Sequence, residues 1–164
     1  MSRSKTVSDS VVVAADPQSV YAAVSDPTRM GEWSPENRGA TVTDARGAAY
    51  VGMTFVGRNK RGGAQWVTLC TVTAADPGSR FAFRVHGIGV KSPRLKARNA
   101  SWEYRFEQAE GGTRVTETWT DDRPWPDFAA TVFDKIVTRG SLFADFQRRN
   151  IATTLKNLKA AFPA

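Results

Sequence analysis

A second cysteine is missing from this chain. Cys70 stands alone, so no disulfide can staple the fold from within. Histidine is just as scarce. With His86 the sole imidazole and Cys70 the sole thiol, no His–His pair or zinc constellation can be assembled, and neither a metal nor a cofactor is expected. Long apolar runs are also lacking. No stretch approaches the roughly 20 apolar residues that cross a bilayer. The VVVAA run behind MSRSKTVSDS is too brief, and too closely followed by Asp16 and Pro17, for a secretory signal. The expectation is a reduced, cytoplasmic protein with no transmembrane segment. Fixed-period repeats and low-complexity tracts are absent, and 164 residues fit one domain, 1–164, with a single core.

Negative charge is in short supply as well. Twenty-three Lys and Arg against 16 Asp and Glu give a net charge of +7, so polyanions and acidic membranes have to be considered as partners. The cations are spread out: Arg58, Lys60 and Arg61, then Lys91, Arg94, Lys96 and Arg98, then Arg148 and Arg149. They read as a basic solvated surface or as an anion-binding face.

What the chain has in quantity is aromatic residues and alternation. KTVSDSVVVA reads as a first strand. Asp16-Pro17 then starts a short helix with an acceptor and a proline in its first turn, and Asp26-Pro27 opens a second small helix ending near Trp33. From about residue 39 to 120 the period is two. The runs RGATVTDA, MTFVGRNK, AQWVTLCTVTA, RFAFRVHG, ASWEYRFEQ and TRVTETWTD are candidate strands, with DPGS and EGG as hairpin turns. GIGVKSPRLKARN is expected to be a loop. Past DDRPWP the period is helical again: DFAATVFDKIVTR, a break at Gly140, then a long helix from Ser141, which can cap it, to Phe162. Ile151, Leu155, Leu158 and Phe162 form one stripe, continued by Phe143 and Phe146.

The stretch FVGRNKRGGAQW carries three cations and two adjacent glycines, yet Gly62-Gly63 leads to Ala64-Gln65 and not to the Lys-Ser/Thr of a phosphate loop. It reads as a hairpin tip whose cations stay in water.

Strand, two small helices, six antiparallel strands and a long terminal helix resemble the START-like, or SRPBCC, superfamily. DPTRMGEWSPE, FVGRNKRGGAQWVTLCTVTAADPGSRFAFRV, SWEYRFEQAEGGTRVTETW and RRNIATTLKNLKAAF look like its actinobacterial polyketide cyclase/dehydrase-like branch. The resemblance implies an α+β helix-grip fold: a curved antiparallel sheet wrapped around the C-terminal helix, with two short helices after the first strand. It also implies a cavity between sheet and helix for an apolar or amphipathic molecule.

Alternation nominates the lining. Phe55 and Asn59 share a face with Trp66, Thr68 and Cys70 on the return strand; Phe83 and Val85, then Trp102 and Tyr104, then Glu117 and Trp119 follow on the next strands. Trp33, Trp125, Phe128 and Phe143 are candidates nearer the ends, with Trp33, Trp125 and Phe128 expected at the entrance. Glu117, between Val115 and Trp119, is the best catalytic candidate, with Tyr104 beside it. It either bonds Tyr104, Asn59 or a Trp N–H and fixes the sheet, or carries a raised pKa and serves as a general acid. His86 is expected at a rim and Cys70 in the core.

Three functions follow: binding of a hydrophobic, lipid- or polyketide-like molecule; a cyclase or dehydratase using Glu117; and non-specific nucleic-acid binding through the basic loops. No specific nucleic acid is expected, and the chain is expected to be a monomer or homodimer.

Overall fold

Turn chemistry orders the sheet. In Asp76-Pro77-Gly78-Ser79, Gly78 takes φ of 74°, a left-handed backbone that suits glycine, and Ser79 N–H donates to the Asp76 carbonyl at 2.9 Å. The computed structural model describes residues 3–164. Strand β1 (Thr6–Val13) leads to α1 (Pro17–Val24) and a 3-10 helix (Pro27–Glu32). The strands β2 (Asn37–Val42), β3 (Thr54–Arg61), β4 (Ala64–Asp76), β5 (Arg80–Gly89), β6 (Leu95–Ala109) and β7 (Gly112–Asp121) follow, and α2 (Asp127–Val137) and α3 (Phe143–Ala161) close the chain.

All seven strands form one antiparallel sheet in the order β1-β7-β6-β5-β4-β3-β2. Consecutive hairpins build it from β2 to β7. β1 crosses the molecule to pair with β7, bringing Val7 opposite Trp119. Register shifts interrupt the β2–β3, β4–β5 and β5–β6 ladders, and such irregularities bend and twist a sheet. The concave face takes α3 through Ile151, Leu155 and Leu158, all buried with Phe55, Phe81 and Trp119. Each such side chain contributes about 1.5–3 kcal/mol when fully removed from water. This is the helix-grip arrangement the resemblance implied, with its two short helices after β1.

Both short helices start as the sequence predicts. Asp16 accepts from Ser19 N–H at 3.0 Å and Asp26 from Thr28 N–H at 3.0 Å. Two boundaries differ. β6 begins at Leu95, inside the expected loop, because Leu95 and Lys96 pair with Ile88 and Gly87 although LKAR buries no side chain. The long helix begins at Phe143, and Ser141 does not cap it. Phe143 N–H donates to Asp134 Oδ2 of α2 at 3.0 Å instead.

Asp134 belongs to a buried charge network. Arg123 donates to Asp121 at 2.8 Å and to Asp134 at 2.7 Å, with all three side chains no more than 3% exposed. Arg3 bridges Asp121 at 3.2 Å and Asp127 at 2.7 Å. Four segments are thereby tied together: the N-terminal arm, the end of β7, α2 and the start of α3.

Candidate ligand-binding site

The hairpin β3–β4 carries the site. On its concave face Phe55, Gly57, Asn59 and Arg61 stand opposite Cys70, Thr68, Trp66 and Ala64. From the interior outward the chemistry runs from aromatic to thiol, then hydroxyl and amide, then cation. Asn59 Nδ2 lies 3.4 Å from Thr68 Oγ1, and a Cβ at Gly57 would come within 3.1 Å of that oxygen. Gly57 therefore lets the polar strip close up.

At the outer end Arg61 reaches toward α3. Its guanidinium carbon sits 3.7 Å from the Phe146 ring centroid and 5.4 Å from that of Trp66, and Nη2 donates to Glu36 Oε1 at 3.0 Å. Beside it opens a pocket of about 360 Å³ between the sheet edge and α3, lined by Glu36, Arg38, Lys60, Arg61, Phe146, Arg149 and Asn150 among others. Two buried atoms of the lining residues, Arg61 Nε and Asn150 Oδ1, have no hydrogen-bond partner among the described residues. One is a donor and the other an acceptor, and both are withdrawn from solvent. Burial pushes the Glu36 carboxyl up even against the neighbouring Arg61 charge.

Deeper on the same face, Tyr104 and Glu117 are cross-strand partners, and Tyr104 Oη donates to Glu117 Oε1 at 2.8 Å. Glu117 is 2% exposed, and Oε2 has no partner among the described residues. Burial pushes its carboxyl up to about 8; the Tyr104 hydrogen bond pulls the other way, and Asp9 adds a smaller upward push. The group is thus mostly neutral at pH 7. The same burial, with Glu117 alongside, raises the Tyr104 phenol well above its ordinary value.

The other nominated residues divide. Phe83, Val85 and Trp119 are buried, with Phe83 edge-on to Phe55 at 5.2 Å, and Trp102 is partly buried against the same cluster. Trp33 is not at an entrance: it is 2% exposed, and Asn157 Nδ2 of α3 donates to its carbonyl. Phe143 is partly buried under the Arg123 guanidinium, 4.5 Å away. Phe128 stands apart, 74% exposed on α2. His86 is half-buried, with Nε2 2.6 Å from Thr71 Oγ1, and burial, Arg84 and Lys96 lower its pKa. Glu36, Arg149 and Asn150 were not singled out as ligand contacts. For Arg149 and Asn150 the sequence signal is the RRN triplet just before the buried Ile151, which places them on the flank of the α3 stripe; Glu36 has none.

Cys70 is 2% exposed, and burial raises its thiol to about 12. Native protein at pH 8 is expected to resist iodoacetamide, with one adduct gained only after unfolding. Mass spectrometry reads the outcome, and rapid native labelling would show that the thiol reaches solvent.

A family model described as polyketide cyclase / dehydrase and lipid transport matches residues 4–163. None of the curated proteins is detectably similar in sequence. Among solved structures, a polyketide-cyclase-like protein from Corynebacterium glutamicum is 31% identical over 99% of this chain and 91% of its own, with a TM-score of 0.56. A START superfamily protein from Mycobacterium smegmatis is 13% identical with a TM-score of 0.69, covering 97% of both chains. The major latex-like protein 151 of Panax ginseng is 10% identical over 97% of both, with a TM-score of 0.68.

Proposed function

The chain belongs to the family described as polyketide cyclase / dehydrase and lipid transport, and from that premise we propose that it binds a hydrophobic or aromatic small molecule bearing an acidic or carbonyl end. The seat is the pocket between the β3 tip and α3. The observation that carries this reading is one opening in which the apolar wall of Phe146 lies beside the cations Lys60, Arg61 and Arg149. A volume of about 360 Å³ lies within the range of small-molecule sites. Lys60, Arg149 and Arg61 supply positive charge for the polar end, and the Phe146 ring meets the apolar part.

Native mass spectrometry of the purified protein, titrated with fatty acids, isoprenoids and aromatic polyketides, tests the proposal. A saturable acidic ligand is expected, and Lys60→Ala with Arg149→Ala should weaken it by about tenfold, the equivalent of about 1.4 kcal/mol. Phe146→Ala should weaken acidic and neutral members alike. Silence across the panel, or unchanged affinity in both variants, would dispose of this seat.

A second reading rests on Glu117. A neutral carboxyl with a pKa of about 8 and one uncommitted oxygen has the protonation state of a general acid toward a ligand carbonyl, as cyclisation or dehydration chemistry requires. In that case turnover of a poly-β-keto substrate falls as pH rises through about 8, and Glu117→Gln abolishes turnover while leaving binding in place.

A further inference from the structure

Helix α2 is built inside out. Its buried positions are Ala130 and Asp134, whereas its large apolar side chains face water: Phe128 at 74% exposure, Val132 at 56% and Ile136 at 72%. These three lie four residues apart and form one stripe, with Phe133 and Val137 along its flank. Its acids are both paired, the buried Asp134 with Arg123 and the partly exposed Asp127 with Arg3. What remains on the outward surface is apolar side chains with Lys135 and Arg139, both exposed. An aromatic chain holds this face out: Trp125 meets Phe133 edge-on at 5.1 Å, and Phe133 meets Phe143 at 6.1 Å.

The neighbouring hairpin repeats the composition. Asp122 N–H donates to the Asn99 carbonyl, so the β5–β6 extension runs beside the linker into α2. Its tip exposes Val90 at 77% and Leu95 at 67% among Lys91, Arg94, Lys96 and Arg98. None of these four cations, nor Lys135 or Arg139, is in an ion pair among the described residues. Carboxylates occur at both ends: Asp44, Asp76 and Glu107 near the β4–β5 and β6–β7 turns stand beside Arg46, Arg80 and Arg114, whereas Asp121, Asp127 and Asp134 near α2 are paired with Arg3 or Arg123. This end therefore exposes apolar side chains among six cations that have no ion-pair partner among the described residues.

We propose that α2 and the β5–β6 hairpin together form a docking surface for an anionic lipid bilayer, with Phe128, Val132 and Ile136 entering the acyl boundary and the six cations meeting the headgroups. Apolar side chains on one face and cations beside it are the pattern of helices that lie in a membrane interface. Charge decides the occupant. Two copies meeting through this end would bring like charges together, and a nucleic acid would leave the apolar stripe in water. This surface is separate from the pocket beside Arg61, and docking through it requires no bound ligand.

Flotation with phosphatidylcholine vesicles, with and without about a third of phosphatidylglycerol, at about 0.1 M salt tests it. Binding to the anionic vesicles is expected to be at least about tenfold stronger than to the neutral ones and to weaken with added salt. Phe128→Ser with Ile136→Ser should reduce it by at least about tenfold, as should Lys91→Glu with Arg94→Glu. Both pairs are exposed, so thermal unfolding should be unchanged. Failure to float on anionic vesicles, or equal flotation by the Phe128→Ser, Ile136→Ser protein, overturns the proposal. So does a dimer in sedimentation that this variant dissolves, which assigns the face to a second copy. Retention on RNA without vesicle binding would assign the cations to nucleic acid.

Discussion

Replacing Arg123 with alanine is expected to remove about 3–5 kcal/mol of folding stability, read as a fall in the urea midpoint at unchanged slope. The size follows from what the variant leaves behind. Asp121 and Asp134 are almost fully inaccessible, and Arg123 donates directly to both. A buried carboxylate without its cation either ionises against a steep desolvation cost or takes up a proton, and each alternative disfavours the folded state. Asp134 has a second duty at the start of α3, where it accepts from Phe143 N–H. The Arg123→Ala, Asp134→Ala double variant should therefore lose less than the sum of the two single losses, since the second removal relieves the charge the first one strands. The sign against pH is also fixed. Burial alone would raise the Asp121 carboxyl, but hydrogen bonds from Arg123 and Arg3 hold it below its ordinary value. Its contribution is complete above the unfolded value near 3.9 and fades as pH falls through the lower folded value. Arg123→Ala should flatten this acid limb. A loss below about 1 kcal/mol would mean that the network contributes no more than an exposed ion pair.

Glu117 is expected to act in the opposite direction. Its carboxyl is raised to about 8, so between the unfolded value near 4.5 and about 8 the folded protein holds a proton that the unfolded chain has released. Stability from this group is complete below about pH 4.5 and declines by about 1.4 kcal/mol per pH unit up to about 8. Summed over that window the decline is about 4–5 kcal/mol. Glu117→Gln keeps the acceptor for Tyr104 Oη and cannot ionise. It should be close to wild type at pH 4 and more stable by several kcal/mol at pH 9, about the size of that decline. Urea titrations at the two pH values measure the difference. Equal stability of the two proteins at both would show that Glu117 ionises in the fold without penalty, and the general-acid reading would fall with it.

The sheet was legible because its signals are local. DPGS and EGG mark hairpins by backbone chemistry alone, and the alternation in SWEYRF and TRVTETW predicts which side chains meet: Tyr104 and Glu117 do. LKARN was missed as strand because its ladder consists of main-chain hydrogen bonds opposite Ile88 and Gly87, with no buried alternation to announce it. Ser141 looked like a cap because it is the right residue type in the right place, but a buried carboxylate from the preceding helix reaches the orphan N–H of Phe143 first. Trp33 was expected at an entrance and Arg61 at a solvated tip. Both placements depend on where α3 lies: it covers the first through Asn157 and meets the second through Phe146. Contacts between residues this far apart in sequence leave no periodicity to read.

The crossing of β1 to β7 bears on how the chain acquires its fold. β2 through β7 can form by zipping successive hairpins, each closing a short loop. β1 has no partner until residues 113–120 exist, and α3, which also packs on it, comes later still. On a ribosome the first strand would therefore emerge earliest and wait longest, with Val7, Val11 and Val13 uncovered until nearly the whole chain has been made. Entropy of closure falls heavily on this one pairing, which makes β1 docking the natural rate-limiting step and the unpaired rim of β7 the place where a half-made molecule is most adhesive. Ser8 and Ser10, on the opposite face of β1 from those valines, and the exposed Asp9 keep the waiting strand hydrated in the meantime.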